Sequence, residues 1–225
     1  MSFDVNKIRK DFPMLDGNKH SFNGKPLIYL DNAATTFKPY SVIEASSNYY
    51  LNECANSHRG DYDLAYKVDT NVDKIRQKIA DFINAKKGEI VFTSGCSMSM
   101  NIVAYGYGIK FLTENDEILL TEAEHASNVL PWFKVSEVTK AKINYIPLDE
   151  DGRLTPENLR KVMNKNVKVV SVAQITNVLG FKNDIKELSK IAHEYGAILV
   201  CDAAQSMPHM KIDVKDLDCD FLTAS

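Results

Sequence analysis

The sequence predicts an α/β protein in which a mostly parallel sheet is flanked by helices. Short apolar runs alternate with helical patterns from residue 88 onward, and this alternation is typical of a parallel sheet covered by helices. One run, 197–201, has five consecutive apolar residues, as expected for a strand buried on both faces. No internal repeat or interdomain linker interrupts the pattern, so we predict one large domain after a short N-terminal arm.

The composition narrows the class of ligand. The chain has 225 residues, of which 44% are hydrophobic and 25% charged, and its net charge is -3, which is typical of a soluble globular protein. Nucleic acid and anionic membranes attract clustered Lys and Arg; the sequence has no such cluster, so we expect neither as a main partner. It also lacks an apolar run of roughly 20 residues and a signal-peptide core. We therefore predict a cytoplasmic protein that binds small molecules.

The four cysteines predict free thiols rather than a metal site. They are scattered along the chain, without a C-x-x-C pair or a histidine at zinc-ligand spacing. Cys201 and Cys219 lie inside apolar runs and are most simply small core residues. The four positions are Cys54, Cys96, Cys201 and Cys219.

The elements can be justified in chain order. A short helical pattern over 4–12 ends at Pro13, and the first predicted strand is 26–31. Two helical stretches follow, and in the second the apolar residues recur at three- and four-residue spacing, which indicates an amphipathic helix. Its apolar residues are Val68, Val72, Ile75, Ile79 and Phe82. The remaining predicted strands are 89–93, 117–121, 143–147, 167–173, 197–201 and 220–224.

Gly95 follows the predicted strand 89–93 and leads into a helix. Glycine permits a tight turn, and the free N–H groups at a helix start form an anion site suited to phosphate. A strand, a glycine and a helix are also a common structural connection, so the sequence alone leaves both a phosphate site and a purely structural turn open. The segment lacks G-x-G-x-x-G and the Walker lysine, so neither a dinucleotide nor ATP is indicated.

Polar residues follow three more predicted strands at their carboxyl ends, where ligands bind in open α/β sheets. His125 could lie over a flat ring and move protons near neutral pH, or be an ordinary loop residue. Asn177 offers an amide donor and acceptor, or is a turn residue. Asp202 could hold a protonated pyridine nitrogen, or cap a helix with Gln205 as its reciprocal partner.

Together, a phosphate loop without arginine, a histidine, an asparagine and an Asp-x-x-Gln pair describe a pyridoxal phosphate pocket. The sequence resembles the group II cysteine desulfurases of the SufS type, in the fold type I pyridoxal phosphate superfamily. This resemblance implies a pyridoxal phosphate-binding large domain over 26–225 and an arm, 1–25, that contributes to a small domain. The resemblance covers essentially the whole chain through the segments 8–13, 24–36, 56–60, 124–128, 176–180 and 202–206.

The resemblance implies a role for each of these polar residues. Asp202 would pair with the pyridinium N–H, which keeps the ring an electron acceptor, and Gln205 would hydrogen-bond the phenolic oxygen. His125 would stack on the ring and act as an acid or base. Asn177 would help to hold the substrate carboxylate. The phosphate would be surrounded by Cys96, Ser97 and Ser225.

The resemblance also implies a reaction and partners. L-cysteine would become L-alanine, and its sulfur would pass to an enzyme cysteine as a persulfide. From there it would reach an acceptor of the SufE or SufU type for iron-sulfur cluster assembly, and the enzyme would act as a homodimer. Two alternatives stay open: a selenocysteine lyase or other enzyme of the same fold, and a truncated, non-catalytic binding partner.

The sequence departs from the family pattern at two places. Cys96-Ser97-Met98 stands where the family commonly has Thr-Thr-Glu after the glycine, which puts a side-chain phosphate contact at Cys96 in doubt because a thiol is a weak donor. We do not expect Cys96 to be the sulfur-accepting nucleophile. The sequence ends at Ser225, where the family continues with Gly-His-Lys. We therefore expect a fragment without the Schiff-base lysine, the nucleophilic cysteine and the C-terminal small domain.

Overall fold

The computed structural model describes residues 3–16 and 21–225, without the side chain of Phe22. It divides into two compact units, the first ending at Ile75 and the second beginning at Arg76. The predicted arm 1–25 lies partly outside the described residues.

The first unit is built mainly from helices. Helix α1 (Val5–Arg9) begins where the Asp4 side chain accepts hydrogen bonds from the backbone N–H groups of residues 6 and 7, which is a typical N-cap. A two-stranded antiparallel hairpin follows, formed by β1 (Ser21–Phe22) and β2 (Lys25–Pro26). Helix α2 (Tyr40–Asn48) continues into a π-helical turn.

The predicted strand 26–31 is wrong beyond its first residue. Pro26 ends β2, and residues 27–30 have no regular secondary structure. Ile28 is 82% exposed and Leu30 is 90% exposed. A strand forms only where a neighbour pairs with its backbone groups, and no described strand pairs with this segment. The apolar side chains alone therefore gave a misleading signal.

The second unit contains the predicted parallel sheet. All four neighbouring pairs are parallel, in the order β4-β3-β5-β6-β7, so the predicted fold class is confirmed. The prediction for β5 matches at both ends, and the other strands differ by a few residues at their ends. The strands are β3 (Glu117–Leu120), β4 (Lys142–Tyr145), β5 (Val167–Ala173), β6 (Ile198–Asp202) and β7 (Phe221–Thr223).

Helices cover both faces of this sheet. Successive strand residues point to opposite faces, so Leu119 joins one apolar cluster and Leu120 the other. The first cluster includes Leu159 and Leu188 from two helices, and the second includes Trp132. The helices not yet named are α3 (Asp63–Ile83), α4 (Cys96–Val103), α5 (Ile109–Phe111), α6 (Ala126–Thr139), α7 (Pro156–Val162), α8 (Ile185–Glu194) and α9 (Val214–Leu217).

One strand prediction is wrong, and one helix prediction is right except for the burial of two residues. The predicted strand 89–93 is a 3-10 turn (Lys87–Glu89) followed by residues outside any strand, and Val91 is 72% exposed. No described strand pairs with this segment, so its backbone groups have no neighbour with which to form a strand. The amphipathic helix was predicted correctly as α3, but Ile75 and Phe82 on its apolar face are exposed.

Helix α6 packs tightly against the π-helical turn Ala104–Gly108, so a side chain added at the contact should destabilise the fold. A Cβ at Gly108 would lie 3.0 Å from Val135 and 3.1 Å from Trp132, whereas a Cβ at Gly106 would meet nothing within 4 Å. Gly108→Ala should lower the free energy of unfolding by about 1–3 kcal/mol. Gly106→Ala should leave it unchanged or raise it by up to about 1 kcal/mol. Urea unfolding compares the two variants, and equal effects would contradict this packing.

Candidate functional site

The register of the sheet aligns the carboxyl ends of three strands. Ala173 at the end of β5 lies beside Asp202 at the end of β6, and Asp202 lies beside Thr223 at the end of β7. Asp202 is only 5% exposed. A carboxylate is therefore held at the buried edge of the sheet by the backbone ladders on both sides.

The helix-cap interpretation of Asp202 is wrong. Turns rather than a helix follow β6, and Asp202 Oδ1 accepts a hydrogen bond from the Ala204 N–H at 2.9 Å. This contact closes a local Asx turn. Gln205, the supposed capping partner, donates from Nε2 to Asn177 Oδ1 at 3.1 Å. The structure therefore brings two of the predicted site residues into direct contact.

His125 lies at the start of α6 and is itself the N-cap. The Ser127 N–H donates to His125 Nδ1 at 3.2 Å. An imidazole nitrogen that accepts a hydrogen bond is unprotonated, so in neutral His125 the proton lies on Nε2. Nε2 has no hydrogen bond within the described residues, and the side chain is exposed. His125 therefore presents an N–H group on this edge.

The helix start after Gly95 gathers the predicted phosphate residues. Gly95 has a φ of 138°, which disfavours any side chain there. The Cys96 N–H donates to Ser225 Oγ at 3.1 Å. In the described chain, the N–H groups of Ser97 and Met98 have no acceptor, as is usual for the first turn of a helix. Such N–H groups suit an anion.

The helix start is also joined to the histidine loop. The hydroxyl groups of Ser97 and Ser127 are hydrogen-bonded at 2.7 Å. Ser97 lies in the first turn of α4 and Ser127 in the first turn of α6. The two helix starts are therefore held at a fixed separation at the same edge.

The Cys96 side chain points away from this helix start and toward the sheet. Its Sγ lies 3.4 Å from Asp202 Oδ1 and 3.3 Å from Thr223 Oγ1. Burial, with the nearby Asp202 charge as a second cause, raises the pKa of the Cys96 thiol to about 12. The thiol is therefore protonated at neutral pH and can donate to the carboxylate, but it is a poor nucleophile.

Sequence reasoning missed Glu124, which precedes His125. The Thr121 hydroxyl donates to Glu124 Oε1 at 2.7 Å, and Asn128 Nδ2 donates to Oε2 at 2.8 Å. Burial of the carboxyl group raises the pKa of Glu124 to about 7, these hydrogen bonds lower it, and the Asp202 charge raises it further. The sequence does place a carboxylate next to a histidine between a strand and a helix. Two glutamates, Glu122 and Glu124, precede His125, and only the fold shows that Glu124 is the one with buried partners.

The site is an open edge with a buried anion, an imidazole, an amide pair and a helix start. These groups suit a ligand with a cationic ring nitrogen and a phosphate. Within residues 3–16 and 21–225, no group of three or more His, Cys, Asp and Glu could hold a metal ion. No helix among those residues is long and apolar enough to cross a membrane.

The fold and this site define a protein of the pyridoxal phosphate-dependent transferase type. The model of the aminotransferase class-V family matches residues 28–225, and the chain belongs to this family. The family and its cysteine desulfurase members depend on pyridoxal phosphate. The family resemblance noted in the sequence is therefore confirmed at this level.

The curated relatives and solved structures agree with this family. The chain is 44% identical over 223 residues to a probable cysteine desulfurase of Halalkalibacterium halodurans, covering 99% of this chain and 54% of the relative. A cysteine desulfurase of Pectobacterium atrosepticum is 39% identical, with 100% and 55% covered. The apo structure of the cysteine desulfurase of Thermococcus onnurineus superposes with a TM-score of 0.89 at 39% identity, with 100% and 54% covered. The chain spans about half the length of these relatives.

The thiol environments predict a large difference in alkylation. Cys54 is exposed and Cys96 is buried. At pH 8, a thiol with the pKa of Cys96 is ionised in about one molecule in ten thousand. Iodoacetamide should therefore label Cys54 in the native protein while Cys96 stays unlabelled until urea is added. Peptide mass mapping measures both, with Cys54→Ser as the control, and rapid native labelling of Cys96 would contradict its described environment.

The raised pKa of Glu124 predicts a pH-dependent stability. The unfolded carboxyl releases its proton near its ordinary value of 4.5 and the native one near 7, so between these values the native state binds more protons. The contribution of this group is therefore full below 4.5 and is lost as pH rises through 7. The difference between these two pKa values corresponds to a change of about 3 kcal/mol in the free energy of unfolding.

The matched variant Glu124→Gln lacks this titration. The unfolding free energy of the parent, minus that of the variant, should therefore fall as pH rises from 4.5 to 7.5. Urea unfolding at several pH values measures this difference. A difference that is constant with pH would show that Glu124 titrates normally.

Proposed function

We propose that the protein is a pyridoxal phosphate-dependent cysteine desulfurase, which converts L-cysteine to L-alanine and passes the sulfur to an enzyme cysteine as a persulfide. The observation that carries the proposal is the buried Asp202 carboxylate at the end of β6, with His125 and the Gly95 helix start on the same edge. The names of the relatives support the choice of reaction.

The ring end of the cofactor fits the carboxylate. A carboxylate offers about four lone-pair positions, and the contacts from Ala204 and Cys96 to Oδ1 occupy two of them, so a ring N–H can still bind. When bound, pyridoxal phosphate draws electrons from the α-carbon of the amino acid and makes its proton acidic. Asp202 supports this by accepting the ring N–H, an interaction that burial strengthens.

The phosphate end fits the start of α4. The N–H groups of Ser97 and Met98 and the hydroxyl groups of Ser97 and Ser225 would bind the phosphate oxygens. Cys96 would contribute at most its backbone N–H, which donates to Ser225 Oγ, because its thiol contacts Asp202 and Thr223. This arrangement supports a phosphate loop in which the missing threonine hydroxyl is not replaced by the thiol.

The remaining polar groups would orient the substrate and move its proton. His125 would stack on the ring and exchange a proton at Nε2, since Nδ1 is already hydrogen-bonded to the Ser127 N–H. Gln205 would contact the phenolic oxygen, and Asn177, paired with Gln205, would hold the substrate carboxylate. We assign no residue of 1–225 to the roles of the Schiff-base lysine and the nucleophilic cysteine.

The assembly is also part of the proposal. Apolar side chains on α4, α5, α6 and the π-helical turn between α4 and α5 are exposed beside the site, and a second copy of the chain would cover them in a homodimer. We further propose a cytoplasmic enzyme whose sulfur acceptor is of the SufE or SufU type and supplies iron-sulfur cluster assembly. Residues 26–225 would form the cofactor-binding large domain, with 1–25 as an arm of the small domain. The exposed residues are Met98, Ile102, Tyr105, Ile109, Leu130 and Phe133.

The reaction is tested with the full-length protein, pyridoxal phosphate and L-cysteine. We expect alanine and protein-bound persulfide in equal amounts before an acceptor is added, measured by amino-acid analysis and persulfide alkylation. Alanine formed without persulfide or sulfide would reject desulfuration. A preference of several hundredfold for selenocysteine over cysteine would favour a lyase of the same fold.

Asp202→Asn should lower kcat by about 100-fold or more, because a neutral amide cannot stabilise the charged ring in a buried site. The exposed Asp151→Asn removes a carboxylate elsewhere on the surface and serves as the matched control. Steady-state kinetics of alanine formation measures both variants. Activity of Asp202→Asn within threefold of the parent would contradict the role of the carboxylate.

A further inference from the structure

The carboxyl group of Glu124 has no part in the proposed chemistry, yet it lies at the centre of a hydrogen-bonded chain beside His125. Thr121 and Asn128 donate to its two oxygens. The Ser171 hydroxyl then donates to Asn128 Oδ1 at 2.5 Å. Thr121, Asn128 and Ser171 are buried. The chain therefore ties together the end of β3, the first turn of α6 and the middle of β5.

This chain fixes the orientation of the Asn128 amide. Its oxygen accepts from Ser171, so its nitrogen faces Glu124, and an amide nitrogen can only donate. An ionised carboxylate accepts both this donor and the Thr121 hydroxyl. Glu124 is therefore the acceptor that completes the buried network, and without it the Asn128 nitrogen loses its partner, at a cost.

The same network holds the backbone on both sides of the histidine. The Asn128 N–H donates to the His125 carbonyl at 2.8 Å, and the Glu124 N–H donates to the Thr121 carbonyl at 3.4 Å. The exposed imidazole consequently projects from a backbone that is anchored immediately before and after it. An imidazole that must meet a ring and a proton at a fixed place requires such an anchor.

We propose that Glu124 is a positioning residue for His125: through Thr121, Asn128 and the backbone, it holds the loop in which the Ser127 N–H meets Nδ1, and so fixes the orientation and the tautomer of the imidazole. The consequence for the reaction rests on the proposed function. The placement of His125 does not, because the network lies within the described chain and contains no ligand.

The charged groups around Glu124 give the network a dependence on pH. Burial and, to a smaller extent, the Asp202 charge at the end of β6 favour a proton on Glu124 and raise its pKa to about 7. His125 adjoins it in the sequence, and the Cys201 thiol of β6 also interacts with it electrostatically; the hydrogen bond with Cys219, then burial and nearby charges, raise the pKa of that thiol. When Glu124 binds a proton, the Thr121 oxygen has to accept it, because Asn128 cannot.

Two variants separate the carboxylate from its neighbour in the sequence. Glu124→Ala removes the acceptor, whereas Glu122→Ala removes an exposed carboxylate from the same loop. Nitrogen-proton NMR of the histidine rings in cofactor-free, full-length protein reports the tautomer, and His125→Gln assigns the signal. We expect the parent and Glu122→Ala to show the single Nε2–H tautomer of His125, and Glu124→Ala to show both tautomers in exchange.

Kinetics provides the second measurement. Glu124→Ala should lower kcat about tenfold with KM for cysteine within twofold, while Glu122→Ala should leave both constants unchanged.

If Glu124→Ala does not fold, Glu124→Gln replaces it, because its amide can accept from Asn128 and donate to Thr121. This variant should keep the single Nε2–H tautomer of His125.

The outcomes are distinguishable from failure of the proposed function. A single, unchanged His125 tautomer in folded Glu124→Ala would overturn the positioning role. So would two exchanging tautomers of His125 in folded Glu124→Gln. Absence of desulfurase activity in the parent, together with the tautomer change, would reject the proposed function and leave the positioning role standing.

Discussion

The parallel register between β5, β6 and β7 is the constraint on which the site depends. It places Asp202 between Ala173 and Thr223 at a depth where solvent barely reaches it. A carboxylate is costly to bury without partners, and this one receives the Ala204 N–H and the Cys96 thiol. Its position is therefore determined by the backbone of the sheet, which is paired on both sides of β6.

The other site groups are fixed relative to that sheet through two helix starts. Gly95 turns the chain into α4 and His125 caps α6, and the hydroxyl contact between Ser97 and Ser127 joins them. Glu124 extends the connection into the interior through buried polar side chains. A network in which the donors have acceptors rigidifies a site, so an exposed imidazole and an open anion site can still have defined positions.

The sequence predicted the sheet well because 197–201 is apolar throughout and 167–173 is apolar except at Lys168 and Ser171, and near-continuous apolar runs are typical of strands buried on both faces. It failed at 26–31 and 89–93 because pairing depends on a neighbouring strand that composition does not reveal. The predicted helix cap at Asp202 was wrong because the Ala204 N–H closes a local turn on the Asp202 carboxylate and no helix begins there. Glu124 was missed because its partners include Asn128 and, through it, Ser171, which is distant in sequence and close only in the fold.

The central claim is that the buried Asp202 carboxylate keeps the ring nitrogen of the bound cofactor protonated. Nitrogen NMR of full-length protein loaded with pyridoxal phosphate labelled at the ring nitrogen tests it most directly. We expect the chemical shift of a protonated nitrogen, and we expect it to stay constant between about pH 6 and pH 9 because the neighbouring carboxylate favours the charged ring. In Asp202→Asn, the signal of the protonated nitrogen should be lost. A neutral pyridine shift in the parent at neutral pH would contradict the account.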